Sequence, residues 1–356
     1  MRILICSDIY PGLRGIAKYA ESIAEILKRN NNITILCSGE KNKRARENIK
    51  GVNIVRISYN GPENFKNIEK FMHENRNNFD IVIVCWYIYL KSAIKNFKKT
   101  IYVLPSLRKV SLQFEGRNWK DASYFEKEAM KECNHIVYPS LNLKQQAEKA
   151  YNVKKGLVIP HGVNVNEFTP LSSSKKKQYQ VVTIANFDPR KGIDKLFKVA
   201  EFSKGEFNII GDGKEKEEYT EKIKSSNLNI KLKGQLESKK VAEFLRLSQI
   251  YVLPSRYEAF GLVILEAMAS GLPVIAFKPD GKNIITASSE IIKDGKTGFL
   301  VKDEREMAQK IDLLLKNDKL REKMGKAARQ EAENYKWEKA VNKILNLIKY
   351  GKKKQK

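Results

Sequence analysis

Residues 254–277 read PSRYEAFGLVILEAMASGLPVIAF. Between Glu258 and Lys278 stand 19 residues with a single charge, Glu266, in a chain that is 30% charged. The segment follows a strand, Ile250–Leu253, and reads as a loop carrying Glu258, a helix Gly261–Ala269, and a further strand Val274–Phe277. A helix that is apolar nearly all round is a buried one. A carboxylate on such a helix is costly unless it is paired or hydrogen-bonded. Glu266 therefore has two readings: a salt bridge to a distant Arg or Lys, or a carboxylate that accepts hydroxyl donors from a bound polyol. The free N–H groups of Phe260 to Val263 open the helix and can face a phosphate. Eight positions separate the two glutamates, one at the loop mouth and one two turns down the helix. A ligand with phosphate between two hydroxyl-rich parts matches that layout, and a nucleotide sugar is such a ligand.

Outward from this segment, short apolar runs alternate with helical patterns along the whole chain. In the first half, strands are expected at Arg2–Cys6, Ile33–Cys37, Val52–Ile57, Ile81–Cys85, Ile101–Leu104, Ile136–Tyr138 and Leu157–Ile159. The pattern breaks at the polar stretch TPLSSSKKKQY, 169–179, and restarts with Val181–Ile184, Phe207–Ile210, Ile230–Leu232, Ile250–Leu253, Val274–Phe277 and Gly298–Val301. Strands apolar on both faces, alternating with helices, predict parallel sheets covered on both sides. A chain of 356 residues suits two such domains. Ligands are expected at the carboxyl ends of the strands.

Composition narrows the function. The formal charge is +26, shared as +12 over residues 1–170 and +14 over 171–356, so the excess is not a basic tail. It fits a solvated surface or anionic partners. No recognition helix or aromatic–basic interleaving supports nucleic acid, so none is expected as a partner. The longest apolar run, Ile81–Leu90, is too short to cross a bilayer. The start MRILICSDIY is too quickly polar for a secretory leader and reads as a first strand. Cys6, Cys37, Cys85 and Cys133 form no CxxC pair, so they read as buried thiols of a cytoplasmic protein.

The EAFGLVILE setting of Glu258 and Glu266 resembles the E-x7-E motif of the family-4 retaining glycosyltransferases (glycosyl transferases group 1), which have the GT-B fold. Other segments agree in order: IPHGVNVNEFTP (159–170), FDPRKGIDKLFKVA (187–200), FNIIGDG (207–213) and IIKDGKTGFLV (291–301). The resemblance implies two facing Rossmann-like domains with parallel sheets and an interdomain cleft. Residues 1–164 would be the acceptor-side domain and 165–335 the donor domain, with a last helix, 336–350, packing back on the first. It implies transfer from a nucleotide sugar, UDP- or GDP-linked, with retention at the anomeric carbon and without a metal or other cofactor. Carried over, Lys191 would neutralise the donor diphosphate and Glu266 would take the ribose hydroxyls. Glu258, with the backbone of Ala259, Phe260, Gly261 and Leu262, would hold the hexose and phosphate. Lys191 and Glu258 are thus the expected catalytic pair. Gly15, Gly211 and Gly213 are expected near the donor. Lys191 alone could equally be a surface lysine, but its Pro-Arg-Lys-Gly context after a strand favours function.

Four sites depart from the family pattern. The first loop, PGLRGI, keeps Gly15 but has Arg14 where an earlier glycine is usual. Asn186 stands where an Arg often supplies a second phosphate cation, and Arg190 could substitute for it. Pro105 and Ser106 follow the strand after which many members carry a His. His161, in place of an Asn, and Arg14 are candidate cleft residues. A catalytically weak nucleotide-sugar binder or partner subunit is therefore the alternative to an active enzyme. The acceptor is expected to be a glycan or lipid-linked molecule of the cell envelope. Basic stretches Lys91–Lys99 and Arg108–Lys120 would make peripheral contact with an anionic membrane at its inner face.

Overall fold

The computed structural model describes residues 1–12, 15–39, 43–57, 63–116, 120–171 and 178–350. The chain forms two compact units, one of Met1–Val110, Asn118–His161 and Trp337–Lys356, the other of Ser111–Arg117 and Gly162–Lys336.

The first unit is built on β1 (Arg2–Cys6), β2 (Asn32–Ser38), β3 (Arg46–Ile49), β4 (Val52–Ile57), β5 (Ile81–Val84), β6 (Thr100–Val103), β7 (His135–Tyr138) and β8 (Leu157–Val158). They lie in the order β3-β4-β2-β1-β5-β6-β7-β8. Every pairing is parallel except β3 with β4. The middle strands are buried on both faces, as a sheet covered by helices on two sides requires. β3 is the strand that the sequence pattern misses. Its residues RENI carry charge instead of an apolar period, which suits an edge that must not pair further.

The helices of this half are α1 (Gly15–Leu27), α2 (Glu63–Glu74), α3 (Leu90–Asn96), α4 (Arg108–Phe114), α5 (Lys120–Glu132) and α6 (Leu141–Tyr151). Arg108–Lys120, expected as one basic stretch, is not one helix. Gly116 adopts φ +66°, a left-handed conformation that ends α4. Within the stretch, Ser111–Arg117 groups with the second unit.

α5 buries Glu126, which is 1% exposed. Its carboxylate accepts from Tyr102 Oη at 3.1 Å, Tyr151 Oη at 2.9 Å and the Arg108 amide at 2.9 Å. Burial nonetheless outweighs these donors and pushes the Glu126 carboxyl up to about 7.

The second unit carries β9 (Tyr179–Ile184), β10 (Phe207–Ile210), β11 (Ile230–Gly234), β12 (Ser248–Leu253), β13 (Tyr257–Glu258), β14 (Val274–Phe277), β15 (Ile285–Thr286) and β16 (Gly298–Val301). Its main sheet is fully parallel in the order β11-β10-β9-β12-β14-β16, and β13 pairs with β15 separately. The helices are α7 (Ile193–Phe202), α8 (Lys216–Lys224), α9 (Ser238–Leu247), α10 (Leu262–Ala269), α11 (Ser288–Ile291), α12 (Glu304–Lys316) and α13 (Asp318–Ala332). The last helix, α14 (Trp337–Tyr350), belongs to the first unit and packs on α1.

α10 lies in the core with Ile264, Leu265, Ala267, Met268 and Ala269 all sealed from solvent. Burying one such large aliphatic side chain is worth about 1.5–3 kcal/mol, which fixes the helix's axial position firmly. In the second sheet the strand order reverses between β9 and β12. In a doubly wound sheet the crevice outside the carboxyl ends at such a point is where ligands bind.

Candidate active site

The loops after β9, β10 and β12 carry nearly every donor-site candidate in the second half. After β9, exposed Asn186 leads into Phe187 and then a short turn, Pro189–Lys191, capped by Asp188, which accepts from the Arg190 amide at 3.0 Å. Gly192 follows with φ +64°, and a Cβ there would sit 2.1 Å from the Pro254 carbonyl oxygen. Only glycine permits the β9 loop and the β12 loop to touch here. The contact is sealed by the Arg256 amide donating to the Arg190 carbonyl at 2.8 Å. Arg256 also forks onto Asp194 at 2.5 and 2.6 Å.

The β12 loop is braced from its other side. The Ile285 amide donates to Arg256 O at 2.7 Å and the Ala287 amide to Glu258 O at 3.1 Å. Glu258 is thus held by its backbone, and its side chain meets Lys191: Nζ to Oε2 is 2.5 Å, with the two side chains 22% and 17% exposed. The two residues expected as the catalytic pair are therefore an ion pair joining two loops. After β10, Gly211, Asp212 and Gly213 turn against the β9 loop. The Phe187 amide donates to Asp212 O at 2.9 Å, and Phe187 bridges to Gly213.

Gly261 precedes α10, with Ala259 and Phe260 buried before it and half-buried Leu262 opening the helix. One turn and a residue further, Glu266 is 7% exposed. Tyr251 in β12 lies near both glutamates. Burial first, and then the charges of Glu258 and Glu266, drive its phenol well above the ordinary value, while its hydroxyl donates to Ile184 O at 3.4 Å. Both carboxylates therefore act on one buried tyrosine in a strand of the switch point.

Arg190 is engaged. Its guanidinium forks onto Asp188 at 2.9 and 3.1 Å, donates to Ser111 Oγ at 2.8 Å and lies 3.1 Å from Glu115 Oε1. Burial alone would lower it, but Asp188, Glu115 and Glu258 hold it above its ordinary value. Beside it, Phe114 stacks on Tyr257, with centroids 5.9 Å apart. Residues 111–115 were missed by sequence reading as part of this loop cluster, since nothing in their order or spacing ties them to it.

The remaining candidates lie in the first unit. Gly15 starts α1, where an added Cβ would meet nothing within 4 Å. Arg14 lies outside the described residues. His161 is 9% exposed, its ring 4.6 Å from that of Tyr19 and 5.9 Å from that of Trp337. Burial pushes it down to about 3, so it is neutral at ordinary pH. All four cysteines are buried and free of disulfides. Among the described residues no group of three or more His, Cys, Asp or Glu stands together as a metal site. No helix among them is long and apolar enough to cross a membrane.

The model of Glycosyltransferase Family 4 matches residues 13–167, and that of Glycosyl transferases group 1 matches 165–331. An uncharacterized glycosyltransferase of Methanocaldococcus jannaschii is 26% identical over 360 residues, covering 96% of this chain and 96% of its own. Phosphatidyl-myo-inositol mannosyltransferase of Mycobacterium leprae is 31% identical over 201 residues, covering 53% of this chain and 52% of its own. The solved sucrose-phosphate synthase of Thermosynechococcus elongatus superposes with a TM-score of 0.86 at 20% identity, covering 98% of each chain. Together the two family models take in residues 13–331. This chain belongs to the group 1 glycosyltransferases and has their GT-B fold.

Proposed function

We propose that this glycosyltransferase moves a sugar from a nucleotide-sugar donor to a glycan or lipid-linked acceptor, with retention of anomeric configuration. The observation that carries this reading is the convergence of Lys191, Glu258, the start of α10 and Glu266 on one strand edge, around the β9/β12 switch point. In this reading the donor diphosphate takes Lys191 and the amides at the start of α10. Glu258, released from Lys191, accepts from hexose hydroxyls, and Glu266 accepts from the ribose.

The chemistry follows from charge. The bond from the anomeric carbon to the phosphate oxygen breaks, and negative charge grows on the leaving diphosphate. A fixed cation and a helix N-terminus stabilise that charge most where it is greatest, in the transition state. The acceptor oxygen bonds to the same face of the sugar and its proton passes to the departing phosphate oxygen. No enzymic base and no metal is needed in this scheme. Release of nucleoside diphosphate from a panel of UDP-, GDP- and ADP-sugars tests the reading. Glu258→Ala, Glu266→Ala and Lys191→Ala are expected to depress it strongly, and wild-type rates in all three would refute the assignment.

A second reading has its own observation. Asn186 supplies no charge, and Pro105–Ser106 supply no imidazole. A catalytically weak binder would show tight nucleotide binding with neither transfer nor hydrolysis across the panel. For the acceptor, the lipid in the name of the Mycobacterium leprae relative and the surface lysines of Lys91–Lys99 favour a peripheral site at an anionic membrane. Flotation with anionic liposomes but not neutral ones is the expected result.

A further inference from the structure

The cluster around the β9 loop contains more negative than positive charge. Arg190 and Lys191 are its cations; Asp188, Glu115 and Glu258 are its carboxylates. Arg190 and Glu115 are only 25% and 17% exposed, so solvent and salt screen them less than a surface pair. An anion entering here must displace a carboxylate. Asp188 is ill suited to leave, because it caps the turn through the Arg190 amide as well as forking onto the guanidinium. Glu258 belongs to the same donor-site layout. Glu115 is different. It comes from a segment 75 positions away in sequence, with Ser111 donating to it at 3.3 Å. Phe114, one residue before it, rests on Tyr257, one residue before Glu258.

We propose that Glu115 is the exchangeable counter-ion of Arg190: the diphosphate of a nucleotide ligand displaces it, and the Ser111–Glu115 segment is released from the loop as the ligand binds. The donor-free arrangement is then a self-inhibited one, in which Glu115 competes for the second cation of the site. This rests on the donor reading of the β9 loop given above. It makes Arg190 the functional stand-in for the charge that Asn186 lacks, and it makes entry of nucleotide a condition for freeing residues 111–115.

The test uses the whole protein with UDP, GDP and ADP as probes, measuring dissociation constants by calorimetry for wild type, Glu115→Gln and Lys191→Ala. Glu115→Gln is expected to tighten the best nucleotide about fivefold, with a steeper dependence on salt, because in wild type salt weakens the competing Glu115–Arg190 pair along with the ligand's own. In wild type, amide hydrogen exchange over residues 111–116 is expected to quicken when that nucleotide is added. Unchanged or weaker binding by Glu115→Gln, or exchange that slows at 111–116, overturns the proposal and makes Glu115 a support for Arg190. Lys191→Ala separates the two levels. If it weakens binding while Glu115→Gln fails to tighten it, only this inference falls. If Lys191→Ala binds as wild type, or no probe binds wild type, the donor reading falls and this inference with it.

Discussion

Two glutamates sit on buried helical faces, one in each unit, and their surroundings set them apart. Glu126 in α5 is enclosed by donors: two tyrosine hydroxyls and a backbone amide point at its carboxylate. Glu266 in α10 lies in an apolar core at the edge of the β9/β12 switch point, with Glu258 and Lys191 on the neighbouring loops. The first is a carboxylate whose partners tie three helices to a strand. In the donor reading proposed above, the second is the carboxylate that accepts hydroxyl donors from the ligand. Burial alone, then, does not assign a purpose; what stands around the carboxylate separates the two readings.

The largest effect that could break this contrast is on turnover. Glu266→Gln and Lys191→Ala are each expected to lower nucleoside-diphosphate release about 10²–10³-fold, the range for loss of one preorganised electrostatic contact. Their melting temperatures should fall by less than about 5 °C, so that the loss of turnover exceeds what unfolding accounts for at the assay temperature. Next comes Glu126→Ala, which strands the Tyr102 and Tyr151 hydroxyls and the Arg108 amide. Denaturant unfolding should show a loss of about 3 kcal/mol, while turnover by the folded fraction falls far less than in the first two variants.

A smaller effect is the pH dependence of stability. The Glu126 carboxyl titrates near 7 in the folded protein, above its ordinary 4.5. The folded state therefore binds the proton more tightly. The stability this group contributes is fully present below pH 4.5 and is lost as pH rises through about 7. Glu126→Gln should flatten the stability profile over that interval by about 1–3 kcal/mol. The smallest expected change is Tyr102→Phe, which removes one of three donors and should cost about 1 kcal/mol.

The same contrast explains what could be read from the sequence. Glu266 was legible because nothing charged surrounds it in GLVILEAMA, so one carboxylate in that run demanded a reason. Glu126 was not, because KDASYFEKEAMKE carries charge at many positions, and a buried acid looks like its exposed neighbours. The parallel strands were legible where both faces are apolar, as in IVIV of β5, and β3 was not because an exposed edge needs no apolar period. The 254–277 segment showed its helix and following strand directly, since each has its own pattern, but not β13, whose two residues Tyr257 and Glu258 are too few to show a period. The engagement of Arg190 by Ser111 and Glu115 lay beyond any local pattern, because residues so far apart in the chain meet only through the fold.

One measurement bears most directly on the central claim, that the loops at the β9/β12 switch point hold a nucleotide sugar. It is the thermal stabilisation of wild type and Glu266→Gln by UDP-, GDP- and ADP-sugars over a concentration series. The account predicts that one nucleotide class raises the melting temperature of wild type in a saturable way, and that Glu266→Gln needs far higher ligand for the same shift. A wild type indifferent to every donor, or a Glu266→Gln protein that responds as wild type does, would contradict it.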